Sequence, residues 1–173
     1  MQPTNRSSRI LLPVKLWFVY LTLFAAPGLE YIPSGRTPGL PDWVALVLAF
    51  WCVREPLAIG MGVGFVFGLL MDVGLGAAMG QHALAYTLLS YFAITIHRRI
   101  LWFTPGAQAV HVLPLFVAAH VTSLLLRLAT GAEFPGWPML LAPLFEALLG
   151  PLASWLLLVP QRRAPDPDEN RPL

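Results

Sequence analysis

Residues 57–86, "LAIGMGVGFVFGLLMDVGLGAAMGQHALAY", combine a long apolar run with seven glycines and one acid, Asp72. Glycine weakens a helix in water, and an acid is costly in a lipid bilayer. Gly60, Gly64, Gly68, Asp72, Gly76 and Gly80 stand four apart. Residues at that spacing share one helix face, so the run predicts a membrane helix with an extended seam of small residues. Such a seam lets a neighbouring helix approach closely. The neighbour is either another helix of this chain or a partner subunit. Because four residues exceed one turn, the seam drifts around the helix and can serve more than one neighbour.

The composition agrees with a membrane setting. Apolar residues make up 57% of the 173 and charged residues only 12%, about half the usual soluble share. Mean hydropathy is +0.66 and the pI is about 9.0. The basic residues stand singly or in pairs, so no nucleic-acid-binding patch is present. The single cysteine, Cys52, allows no disulfide framework and no cysteine-based metal site.

Working outward, a bilayer-spanning helix needs about 20 mainly apolar residues. Six candidates result: 10–28, 42–54, 57–79, 83–97, 107–129 and 139–159. The fold expected is an all-α membrane protein, a six-transmembrane-helix bundle forming one domain over 1–160, with a polar, disordered cytoplasmic tail over 161–173. Segments 42–54 and 83–97 are short for a full crossing. Arg6 and Arg9 precede an apolar run as in a signal peptide. Pro13 and Lys15 interrupt that run and no cleavage signal follows, so a retained first helix is the expectation.

Loop charges orient the bundle. With both termini cytoplasmic, the inner side holds Arg6, Arg9, Arg54, Arg98, Arg99, Arg162, Arg163 and Arg171, with Lys15 near the inner end of the first helix. The outer side holds Arg36, with Arg127 near the outer end of the fifth helix, and the acids Glu30, Asp42 and Glu133. Trp17, Trp43, Trp102, Trp137 and Trp155 fall mostly near segment ends, as interfacial aromatics do.

Depth counting suggests two polar pairs. Asp72 and Arg127 lie near the outer ends of their helices. The alternative for Asp72 is hydration at the interface or bonding to backbone at the His82 turn. His120 and Glu146 lie at comparable depths on consecutive helices, as a register-fixing contact; one acid and one histidine make no proton pathway. His82 and His111 look solitary. No H-E-x-x-H, G-x-S-x-G, P-loop or dinucleotide motif occurs, and Asp72 is alone in its segment with Glu146 at another depth, so the two do not read as an aspartyl dyad. The chain therefore reads as non-enzymatic, with no cofactor and no metal.

Within residues 41–93, Pro41-Asp42-Trp43 opens the second span. A glycine-rich third contains "GLLMD" (68–72), and "GxxxGxHAL" (76–84) follows before a tyrosine-containing fourth that ends in basic residues. This ordered set resembles the MreD family, the small membrane subunit of the bacterial rod-shape complex. The resemblance implies an inner-membrane partner of MreC, acting with MreB, RodA and a penicillin-binding transpeptidase in cell elongation. It also implies a fold similar to the substrate-binding subunits of energy-coupling-factor transporters. It brings no catalytic residue; Gly68, Asp72, Gly76, Gly80 and His82 match as structural or interface positions. The rival reading is a solute-binding membrane subunit of a small-molecule transporter. It lacks the polar cluster such a solute needs, since Asn, Gln, Ser and Thr are sparse in the outer halves.

Overall fold

The computed structural model describes residues 14–31 and 39–161, and among these described residues there are six α-helices. They are α1 (Leu16–Glu30), α2 (Trp43–Arg54), α3 (Met61–Leu75), α4 (Gln81–Leu101), α5 (Pro105–Ala129) and α6 (Ala142–Leu158). A 3₁₀ turn, Trp137–Leu141, leads into α6, and another, Val159–Gln161, leaves it. The described residues contain no strand. Residues 10–13 of the first expected span, Arg6, Arg9, Arg36, and the tail from 162 onward with its three arginines lie outside the described residues. Gln161, assigned to the tail by sequence, is buried in the closing 3₁₀ turn.

The helix bounds have local causes. Asp42 caps α2: its Oδ1 accepts the Ala45 N–H at 2.8 Å, the usual device for an orphan first-turn donor. Pro56 disfavours helix in the residue before it, and α2 stops at Arg54. The segment expected over 57–79 is shorter in the structure. Residues 56–59 form a turn, and Gly76, in the left-handed region at φ +63°, closes α3. The Ala77 N–H reaches back to the Asp72 carbonyl at 2.9 Å, which satisfies an end-of-helix acceptor. The fourth segment is longer than 83–97, because His97, Arg98 and Arg99 continue the helix as far as Leu101.

Helix α4 is the central element, packing on α3, α5 and α2; α6 packs on α5 and α2, and α1 on α2. Hydrogen bonds fix the relative directions. The Trp43 N–H donates to Glu30 at the end of α1, and the Asp42 N–H to Glu146 near the start of α6. The Tyr86 hydroxyl, in the second turn of α4, reaches Asp42. Successive helices thus alternate in direction, with the ends of α1, α3 and α5 beside the starts of α2, α4 and α6.

A core of Val19, Leu23, Leu48, Trp51, Tyr86, Leu89 and Phe116 fills the centre. Large apolar side chains also cover the outside: Trp17, Phe24, Leu57, Val73, Trp102, Leu125, Leu148 and Leu156 are exposed. An exterior this apolar suits lipid rather than water. Two helical stretches, Gly106–Ala129 and Trp137–Gln161, are long and apolar enough to cross a bilayer.

Candidate functional site

Four acids, Glu30, Asp42, Asp72 and Glu146, gather with their partners at one end of the bundle, in two clusters. The first belongs to Asp72, 1% exposed in the last turn of α3. Its carboxylate takes four donors: the backbone N–H of Gly80 (2.8 Å), His82 (2.7 Å) and Ala83 (3.3 Å), and His82 Nδ1 (2.8 Å). These N–H groups open α4, where the first amides have no partner inside the helix and the dipole is positive. Asp72 is thus a cap supplied from the preceding helix. The carboxylate can only accept, so His82 Nδ1 carries the proton.

This geometry fits the backbone-bonded alternative for Asp72 and corrects the Asp72–Arg127 pairing. Arg127 sits in the last turn of α5, where its Nε donates to the Glu133 carbonyl at 3.0 Å. Depth alone suggested the pair; the tight turn between α3 and α4 supplies Asp72 with nearer partners. His82 is not solitary either.

The four-residue glycine series is not one continuous helical face. Gly60 is the N-cap of α3, Gly76 its C-cap and Gly80 the N-cap of α4 at φ +98°. A methyl group at any of these three would meet nothing within 4 Å. Close packing rests on Gly64 and Gly68. A Cβ on Gly64 would lie 2.8 Å from the Tyr86 carbonyl oxygen and collide with Ser90 Oγ. One on Gly68 would lie 2.6 Å from the His82 carbonyl oxygen and collide with Ala83 Cα. Both seat α3 directly on the α4 backbone, so this part of the seam is internal. Gly74, outside the series, faces the far end of the exposed Tyr31 side chain, which can move aside, unlike the α4 backbone against Gly64 and Gly68.

The second cluster joins five helices, α1, α2, α4, α5 and α6. Asp42 Oδ2 accepts the Tyr86 hydroxyl at 2.6 Å, and the Asp42 N–H donates to Glu146 Oε1 at 2.9 Å. Glu146 is fully buried, and His120 Nε2 lies 3.4 Å from the same oxygen. His120 Nδ1 faces the Phe116 carbonyl at 3.1 Å, which demands a proton on Nδ1. Nε2 and Glu146 are then complementary only with a proton between them, on one or the other. Glu30 adds a third acid, its Oε2 accepting the Trp43 N–H at 3.3 Å. Among the described residues, no group of three or more His, Cys, Asp or Glu side chains is placed to hold a metal ion.

The structure therefore brings together Asp72 with His82 and His120 with Glu146, and leaves Arg127 apart. Sequence reasoning missed Asp42 and Tyr86 as the centre of the second cluster. The signal was present: an Asp immediately before an apolar run is an N-cap pattern. Nothing in either cluster presents a nucleophile beside a base in an open cleft, and both serve to join helices.

A family model for the rod shape-determining protein MreD matches residues 8–159. The chain belongs to the MreD family. A curated relative, the rod shape-determining protein MreD of Haemophilus influenzae, is 28% identical over 150 residues, covering 83% of this chain and 88% of the relative. No solved structure matches. The matched region takes in both polar clusters, and MreD membership makes the chain a membrane protein of the rod-shape system.

Proposed function

We propose that this MreD chain is a non-enzymatic subunit of the elongation complex in the bacterial inner membrane. It scaffolds MreC and, through it, MreB, RodA and a penicillin-binding transpeptidase during lateral peptidoglycan synthesis. The observation that carries this reading is the family match across nearly the whole bundle, joined to a polar architecture spent on helix–helix connections.

In this reading all six helices cross or enter the membrane, with both termini in the cytoplasm. The alternating helix directions support it, since they put Arg54, Arg98 and Arg99 at one end and Glu30, Asp42 and Glu133 at the other. Helix α2, about 18 Å long by rise per residue, is too short to cross alone. It enters the membrane between α1, α4 and α6, where those neighbours shield its ends. The likeness to substrate-binding subunits of energy-coupling-factor transporters belongs to this reading and is supported by the six-helix count alone.

Affinity capture of the tagged chain from native membranes, with mass spectrometry of what accompanies it, tests the proposal. Recovery of MreC and the elongation synthase is expected. Recovery of transport ATPases and a coupling protein in their place would overturn it.

A further inference from the structure

A shallow groove runs along α2, α4, α5 and α6, from Leu46 and Ala147 beside the second polar cluster to Arg54, Gln108 and Ser154 towards the opposite end of the bundle; about 50 Å³ of it is enclosed and the rest is open to the surroundings. Its walls are apolar: Leu46, Phe50, Ile100, Val112 and Phe116. Its polar groups are few, chiefly Arg54, Gln108 and Ser154.

Arg54 is half-buried, with its guanidinium carbon 5.9 Å from the centre of the Phe50 ring. Among the described residues it forms no ion pair, and the Ser154 hydroxyl makes no hydrogen bond. A partly desolvated cation on an apolar wall favours an anion beside it. Gly150 forms part of the α6 wall, and a Cβ there would meet nothing within 4 Å, so the space beside it is open.

We propose that this groove binds an anionic phospholipid, one acyl chain lying against Phe50, Ile100 and Val112 and the phosphate meeting Arg54 and Ser154. The charge selects the occupant. A neutral chain leaves Arg54 unanswered, and a small soluble anion leaves the apolar walls unused. The membrane in which an MreD protein resides supplies molecules with both features. The proposal rests on membrane residence and not on the elongation complex, so either can fail alone.

The test uses the full chain, delipidated in a neutral detergent. Phosphatidylglycerol, phosphatidylcholine and inorganic phosphate are titrated separately, and bound lipid is read by native mass spectrometry beside the thermal shift. Phosphatidylglycerol is expected to bind at least about fivefold more tightly than phosphatidylcholine, the worth of one basic side chain near anionic lipid. R54Q is expected to abolish that preference, and R127Q to keep it. G150L, which fills the groove, is expected to weaken both lipids; G150A serves as a milder version if G150L does not yield folded protein. Equal binding of the two lipids, a preference surviving in R54Q, or protection by inorganic phosphate alone would overturn the assignment. So would unchanged lipid binding in a folded Gly150 variant, which is the outcome expected if the groove instead receives a partner's helix.

Discussion

Asp72 resolves the conflict between an acid and its apolar surroundings. It is buried, yet its oxygens meet three backbone amides and an imidazole N–H. Removing it strands those donors, and each buried orphan costs about 1–3 kcal/mol. Asp72→Ala is therefore expected to destabilise the chain by about 3 kcal/mol or more, read by thermal or denaturant unfolding in detergent. Asp72→Asn should cost less than Ala, because it keeps one acceptor oxygen while turning an amide donor toward other donors. His82→Ala leaves the three backbone bonds in place and is expected to cost about 1 kcal/mol. Arg127→Ala, which loses one exposed contact to a carbonyl, should stay within about 0.5 kcal/mol of the parent. An Arg127 effect as large as that of Asp72 would restore the pairing that depth counting suggested.

At the scale of the element, the α3–α4 hairpin is held by contact and by capping together. Gly64 and Gly68 admit the α4 backbone, and Asp72 closes the turn beyond them. Gly68→Ala must displace backbone atoms of Ala83 and His82, and overpacking of this kind costs typically about 1–3 kcal/mol. Gly60→Ala, at φ −107° with open space around it, should be near neutral in the same unfolding assay. Equal costs at the two positions would show that the seam packs differently. The contrast also marks what could be read from sequence. A four-residue repeat says that small residues recur. It does not say where the helix ends, and Gly76 and Gly80 prove to be turn residues with positive φ. The helix positions were legible because apolar runs and prolines bound them, whereas their lengths shifted where capping decided. Residue 75 ends α3 through Gly76, and Arg99 does not end α4. The His120–Glu146 proximity followed from depth on consecutive helices. The Asp42–Tyr86 link did not, because it joins α2 to α4 across the bundle and no periodicity within one helix reports such a contact.

At the scale of the whole molecule, the protein is a bundle whose buried acids fasten helices at one end and whose exterior is largely apolar. The orientation proposed for it predicts a labelling pattern. A cysteine replacing Glu133 should react with a membrane-impermeant maleimide in intact spheroplasts, and one replacing Arg99 only after lysis; the native Cys52 is buried and should stay silent. The reverse pattern would invert the bundle. The central claim, that this chain sustains rod elongation as a membrane scaffold, is tested most directly by depleting it in its own host and following cell shape. Rods are expected to round up into spheres and to recover when the parent chain is re-expressed, but not with Asp72→Ala, whose membrane level should fall. Cells that stay rod-shaped after full depletion would contradict it.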